Sequence, residues 1–394
     1  MKSQKGNTNF DIVIVGGGPI GIAFACGLAN TKIKIAIVDK LSKKAMSNPK
    51  IDGREIALTQ QSIKILEKLN VWNFIPKKLV SAIKEARVLD GNSKYFLNFA
   101  HNEIKKECLG YIVPNYLIRK SLFKRLKNIK NVTLINNSEC LSANISEKYV
   151  TIKMSNRKKI KASLLVAADS RFSKMRSKMG ISAFTRNFDK NMIVCRMKHE
   201  KSHKNIAYEF FRYNQTQASL PYIKNQSGIV TTATKDLTEI LMKMKKKEFN
   251  KEMENNFDNS FGKMELVGKR YSYPMITTYA KKFISHRFAV IGDAAVGMHP
   301  VTAHGFNLGL KGLEILINEI KTAIKNKTDI GLTTVLQNYQ SKLHRVAAPI
   351  YLATNGIVNL YTSTIFPAKL TRQFILRLVN TVKPVKRAFL SVLE

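Results

Sequence analysis

The sequence predicts an α/β protein in which a parallel nucleotide-binding sheet is assembled from separated stretches of chain. An antiparallel sheet is inserted between them, and a helical segment follows at the C-terminus. Three observations carry this prediction. A glycine-rich turn links a β-branched run to a helical stretch within residues 12–27. Two later apolar runs, 164–168 and 288–291, each deliver an acid just beyond their carboxyl ends. Between those runs, residues 182–280 show strand-like alternation of apolar and polar side chains.

The first element reads FDIVIVGGGPIGIAFACGLANTKIKIAIVD over residues 10–39. Ile12 to Val15 form a strand, Gly16, Gly18 and Gly21 stand in GxGxxG spacing, a helix follows, and a second apolar run ends at Asp39. Glycines so spaced let the backbone approach a pyrophosphate. The helix amino terminus offers it free N–H groups, and Asp39 accepts hydrogen bonds from a ribose diol. The glycines alone are weak evidence. With both strands and an acid 23 residues beyond Gly16 they predict dinucleotide binding, without separating NAD from FAD. Next, DGREIALTQQSIKIL (52–66) sets Arg54 within reach of a diphosphate and predicts a helix over 57–66 with Thr59 as its cap. A surface arginine before an ordinary helix is the competing reading.

The third and fourth elements repeat one device. SLLVAADSRFSKMRSKMG ends the strand Leu164–Ala168 at Asp169, and RFAVIGDAAVGMHP ends Phe288–Ile291 at Gly292 and Asp293. Ligands of open parallel sheets lie beyond the carboxyl ends of strands, so three such ends predict one extended ligand. Asp293 suits the polyol linker of FAD, and Pro300 fixes the backbone where the loop runs over the ring. Gly305, Phe306 and Asn307 open a helix whose buried stripe is Leu308, Leu310, Leu313, Leu316, Ile317 and Ile320. The positive end of that helix would face the flavin edge where negative charge collects on reduction. His299 and His304 lack a third ligand and the flanks of zinc motifs, so no metal is expected. His304 is weighed as a residue that orients substrate or stabilises a proton transfer, against a packing role.

In the middle, NMIVCRMKH, IAYEFFRY and SGIVTTAT are interrupted by LMKMKKKEFNKEMENN, predicting an antiparallel sheet with a basic helix on the substrate side of the cleft. Tyr208, Phe210 and Pro221 are its candidate wall, although aromatics on strands serve as often in the core. In the tail, 346–368 carries no charge but is interrupted by Asn355, Gly356, Asn359 and two prolines, which disfavours a spanning helix. The stretch that follows mixes Leu370, Phe374 and Leu378 with Arg372, Arg377, Lys383, Lys386 and Arg387. That pattern suits a membrane interface, or a helix packed on the nucleotide domain. The expected division is 1–75, 105–181 and 281–345 for the nucleotide domain, 76–104 with 182–280 for the sheet domain, and 346–394 for the helical segment.

At 394 residues the chain can bury two or three subdomains, and 44% apolar residues is ordinary for a globular protein. Sixty-six Lys+Arg against 27 Asp+Glu leave +39. Because the lysines are scattered, a compositional bias is the simpler reading, with an anionic membrane surface as the alternative. No motif supports nucleic acid. Four dispersed cysteines form no CxxC pair, which points to a reducing compartment, and MKSQKGNTNF holds no apolar core of a secretory signal.

Together GGGPIG, DGREIAL, AADSR, AYEFF followed by Leu220-Pro221, GDAAVGMHP with GFNLGLKG, and the tail VNTVKPVKRAFLSVLE resemble the group A flavoprotein aromatic hydroxylases. These are of the p-hydroxybenzoate hydroxylase type, and the chain is more similar to the ubiquinone-biosynthesis hydroxylases. ADSRFS and VTAHGFN look closest to the 5-demethoxyubiquinol hydroxylase subgroup. The resemblance spans nearly the whole chain. It implies a Rossmann-like FAD-binding domain with an inserted substrate-binding sheet, and oxygen transfer to an electron-rich ring from a flavin C4a-hydroperoxide formed with NAD(P)H and O2. Gly16, Gly18, Gly21 and Asp39 would hold the ADP half of FAD, Arg54 its pyrophosphate side, and Asp293 the ribitol. Backbone around Pro300, Gly305, Phe306 and Asn307 would touch the ring. Asp169 would serve the middle motif, where relatives usually carry Asp-Gly and this chain has Asp169-Ser170, which puts reductant docking in question. The implied substrate is a polyprenylated phenol or quinol, and the implied setting is cytoplasmic, peripheral to the inner membrane, beside other ubiquinone-biosynthesis proteins. A reductase or halogenase of the same fold, and a non-catalytic FAD-retaining scaffold, are the alternatives.

Overall fold

The structure, a computed structural model, describes residues 9–91, 96–212, 215–300 and 304–362. The tail residues from Leu370 to Arg387 lie outside the described residues. Along the chain, β1 (Asn9–Val15), α1 (Pro19–Gly27) and β2 (Ile35–Val38) are followed by α2 (Lys43–Ser47), β3 (Glu55–Thr59) and α3 (Gln60–Lys68). Then come β4 (Ser81–Ile83), β5 (Glu85–Asp90), β6 (Phe96–Ala100), β7 (Gly110–Pro114), α4 (Asn115–Leu126) and β8 (Val132–Ile135). β9 (Cys140–Ile145), β10 (Val150–Met154) and β11 (Lys159–Ala167) precede α5 (Lys174–Lys178) and the long β12 (Ala183–His199). β13 (Ile206–Arg212), β14 (Gln215–Pro221) and β15 (Gln226–Thr234) lead to α6 (Lys235–Lys243), α7 (Lys246–Asn256) and β16 (Met264–Ala280). The chain then returns through β17 (Ile284–Ser285), β18 (Phe288–Val290) and β19 (Val296–Gly297) to α8 (His304–Lys325) and α9 (Thr333–Thr362).

The nucleotide sheet runs β17-β18-β11-β1-β2-β8, with β18, β11, β1, β2 and β8 parallel to their neighbours in that order. Its centre is a continuous apolar run, Ile12 to Val15 and Ile35 to Val38, as expected of strands covered on both faces. α1 covers it, beginning at Pro19 just inside the N-cap Gly18, where a missing N–H is harmless. α8 lays its predicted stripe on the same core. Leu310, Leu313, Leu316 and Ile320 are fully buried there, each stabilising by roughly 1.5–3 kcal/mol. Thr59 caps α3 as expected, accepting from Ser62 N, but Ala57 and Leu58 are strand residues, because their backbone pairs with Ile112 and Tyr111 of β7.

The second sheet runs β19-β16-β12-β15-β14-β13-β5-β6. It is mixed rather than wholly antiparallel, since β5 enters parallel to β13. The basic segment forms two helices. Met244 is extended, and α7 restarts with Glu248 Oε2 accepting from Lys245 N at 3.1 Å. α9 begins before residue 346 and ties the two sheets together. Its Tyr339 hydroxyl donates to Val290 O of β18 at 2.7 Å, and His344 Nδ1 meets the Tyr279 hydroxyl of β16 at 3.0 Å.

Candidate functional site

The strand order β18-β11-β1-β2 lines up Gly292 and Asp293, then Asp169, then Gly16 to Gly18, then Asp39 along one carboxyl edge. Three strand spacings of about 4.8 Å make this a row of roughly 14 Å. Asp39 is held in place by two backbone donors, Gly17 N at 2.6 Å to Oδ2 and Leu41 N at 2.7 Å to Oδ1. Gly16 has φ +108°, and a Cβ there would stand 2.4 Å from Ala168 O, so no larger residue fits the turn. At Gly18 the situation reverses. Among the described residues, a Cβ would meet no protein atom within 4 Å, and no side chain caps the free N–H groups of α1. At Gly305, in the first turn of α8, a Cβ likewise meets no atom of the described residues within 4 Å. Asp169 Oδ2 accepts from Met175 N at 3.1 Å, while its buried Oδ1 makes no hydrogen bond among the described residues. Among the described residues, open space at two helix amino termini and one unsatisfied carboxylate oxygen on the same edge fit an extended, phosphate-bearing cofactor.

Three further expected side chains, Arg54, Asp293 and Asn307, also have protein partners. Arg54 donates to Asp52 Oδ2 through Nη2 at 2.6 Å and lies over the Tyr273 ring, so its guanidinium is drawn toward Asp52. Asp293 is paired with Arg171 (Nη2 to Oδ2, 3.0 Å), whose Nη1 also donates to Ile276 O at 2.6 Å. The Asn307 side chain accepts from Ser62 Oγ at 2.7 Å and Thr59 N at 3.2 Å and donates to Ala57 O at 2.9 Å. It clamps α8 to the β3–α3 corner, which leaves only its backbone for a ligand. Sequence reasoning missed Arg171 and Arg176. The latter is buried and donates from Nη1 to Ala294 O at 2.8 Å, tying the AADSRFSKMR segment to the GDAA turn. The arginines of that segment were the available signal.

Ser170 has φ +88°, the conformation a glycine takes without strain. Such strain costs about 1–3 kcal/mol, and glycine adds back roughly 0.5–1 kcal/mol of unfolded-chain entropy. Ser170→Gly is therefore expected to stabilise the protein by about 1 kcal/mol, read as a higher urea midpoint. A midpoint below that of the parent would mean that Ser170 is not strained.

The inserted sheet has two unlike faces. Tyr208 and Phe210, expected in the cavity wall, instead pack with Phe257 and Phe261 in the core under α6 and α7. Pro221 is buried at the end of β14, paired with Ser227. The physical reason is parity: alternate residues of β13 face opposite ways, and Phe211 takes the other face. There it lines a cavity of about 190 Å³ with Thr216, Thr232, Arg186, Lys190 and His299, closed by Val358 of α9. His299 stands edge-on to Phe188. Burial, with Lys190, Arg186 and Arg171 nearby, lowers its pKa to about 4, so the ring is neutral at physiological pH. Pro300 follows at the exposed end of this loop, and His304 is buried at the start of α8. A wider groove of about 610 Å³ lies by α7 and the far ends of β12 and β16, among charged residues remote from this edge.

The FAD binding domain family matches residues 9–352. Ubiquinone hydroxylase UbiM of Neisseria meningitidis is 38% identical over 381 residues, covering 96% of this chain and 83% of that protein. Ubiquinone hydroxylase UbiL of Rhodospirillum rubrum is 32% identical, covering 96% and 88%. The crystal structure of p-nitrophenol 4-monooxygenase PnpA from Pseudomonas putida DLL-E4 shares the fold, with a TM-score of 0.78 over 97% of both chains at 15% identity. The cofactor edge, the sheet set against it and these likenesses converge on one conclusion: the chain belongs to the FAD binding domain family and, within it, to the ubiquinone hydroxylases, as an FAD-dependent monooxygenase.

Proposed function

We propose that the chain hydroxylates the aromatic ring of a polyprenylated phenol or quinol precursor of ubiquinone, of the 5-demethoxyubiquinol type, using NAD(P)H and O2. The observation that carries this reading is the cavity of about 190 Å³ between the inserted sheet and α9, one wall of which is His299, on the loop that follows Asp293 of the cofactor edge. Gly16, Gly18, Gly21 and Asp39 hold the ADP half of FAD, and Arg54 turns from Asp52 to its pyrophosphate. Asp169 supports the middle of the site, Gly292 and Asp293 bind the ribitol, and the backbone of Pro300, Gly305, Phe306 and Asn307 meets the ring. Bound FAD supplies the reduction and oxygen chemistry. The protein binds and orients the ring, keeps water out through Phe211, Met275 and Val358, and offers the positive end of α8 to developing negative charge.

His304, buried beside Gly305, orients substrate or carries a proton. In an assay of purified holoprotein with NAD(P)H, O2 and a short-chain prenylphenol, the expected product is the catechol or hydroquinone carrying one oxygen from O2. Turnover without oxygen incorporation would refute the hydroxylase. His304→Ala is expected to lower turnover at least tenfold while retaining FAD, and unchanged turnover would remove His304 from the reaction. Quinone profiling by mass spectrometry of cells lacking the gene then identifies the precursor.

The membrane part of the reading rests on the net charge of +39 and on the basic, apolar sequence after residue 369. Among the described residues no helix is long and apolar enough to cross a membrane. Full-length protein is expected to sediment with anionic vesicles, and a chain ending at residue 362 to stay in solution. Equal sedimentation of both would end the idea that the tail contacts an inner-membrane surface or partners assembled there.

A further inference from the structure

Glu209 is a half-buried acid, closely surrounded by protein, that none of this chemistry uses. It lies mid-strand in β13 between Tyr208 and Phe210, which pack under α6 and α7, so its side chain belongs to the opposite face with Phe211 of the cavity. Its cross-strand neighbour is Ala218, which in turn pairs with Val230, so the row beside the carboxyl is small and apolar. The cationic residues Arg186 and Lys190 stand on β12, three strands away, or roughly 14 Å. Arg87, on the neighbouring β5, is engaged by Glu85 at 2.8 Å. Among the described residues, no hydrogen bond or ion pair reaches the Glu209 carboxyl. Burial alone pushes its pKa well above the usual range, yet Glu209 and Val230 both keep part of their surface accessible in the middle of an eight-stranded sheet. A side chain that is deep and still reachable borders an internal space.

We infer that Glu209 reads the substrate ring, its carboxyl forming a hydrogen bond with a ring hydroxyl of the bound phenol or quinol. A carboxyl offers both a donor and an acceptor to a phenolic O–H, and a buried polar group without a protein partner discriminates strongly for the ligand that satisfies it. The inference rests on the hydroxylase reading above and adds the residue that recognises the hydroxyl.

The test pairs two probes with two variants, with Kd measured by calorimetry on FAD-loaded protein. Wild type is expected to bind a short-chain 2-prenylphenol at least tenfold tighter than its methyl ether. Glu209→Gln, which keeps a donor and an acceptor, should retain most of that preference, and Glu209→Leu should reduce it to within twofold. Both variants should melt no lower than wild type, because an unpaired, poorly solvated acid has been removed. A tenfold preference that survives in Glu209→Leu overturns the inference while leaving the hydroxylase reading intact. Failure of wild type to bind or hydroxylate the phenol overturns both.

Discussion

Gly18→Val is expected to give a folded protein that has lost its FAD. Gly18 is the N-cap of α1 in an extended conformation (φ −71°, ψ 178°) that valine adopts freely, and among the described residues a Cβ there meets no protein atom within 4 Å. The protein itself has no steric reason to resist the change. The branched side chain instead fills the space through which a pyrophosphate reaches the free N–H groups of the helix. Loss of those charge-assisted bonds, at about 1.5–3 kcal/mol each, corresponds to at least a hundredfold weaker FAD binding. The checks are the ratio of flavin to protein absorbance after gel filtration and the far-ultraviolet circular dichroism of the same sample. Gly16→Ala is the contrast, because its Cβ would collide with Ala168 O and must disturb the fold as well as the cofactor. If Gly18→Val kept its flavin, the pyrophosphate would not run past this turn.

The cofactor half was legible because its signals are local. Gly17 and Asp39 are 22 residues apart and joined by one strand–helix–strand unit, so spacing alone brings them together. The acids after β11 and β18 followed from one rule about parallel strands. The substrate half was less legible because it depends on which face of a strand turns inward. IAYEFFR carries aromatic rings on both faces, since α6 and α7 cover one and the cavity and α9 border the other, and no alternation of apolar residues says which is which. That ambiguity sent the expectation to Tyr208 and Phe210 instead of Phe211. Partnerships across long stretches of chain were likewise out of reach. Asn307 to Ala57 spans 250 residues and Glu55 to Arg196 spans 141, and neither has a local signature.

That last pair carries the second large effect. Glu55 is almost wholly buried, its Oε1 accepting from Arg196 Nη2 at 2.5 Å and Nε at 3.2 Å, while Oε2 has no partner among the described residues. Arg196 lies over the Tyr222 ring and joins β12 of the inserted sheet to β3 of the cofactor domain. Arg196→Met keeps the stem and deletes the charge, stranding a buried carboxylate. Such a loss costs about 3–5 kcal/mol, and the low end applies because Arg196 is 27% exposed. Burial already holds the Glu55 pKa above its ordinary 4.5 despite the arginine, and without the arginine it must rise further. The folded state then binds a proton that the unfolded chain releases, so stability is kept below pH 4.5 and lost as pH rises through the folded value. The deficit of Arg196→Met should accordingly be largest near pH 8 and shrink toward pH 4.5, as read from urea midpoints across that range. Adding Glu55→Gln should restore most of the stability and flatten its pH dependence. The same variant should hold FAD more weakly, because the pair adjoins Arg54 and the loop whose Asp52 carbonyl accepts from the Tyr273 hydroxyl at 2.8 Å. A pH-independent deficit that Glu55→Gln fails to relieve would mean that Arg196 acts through packing on Tyr222 and not through the buried charge.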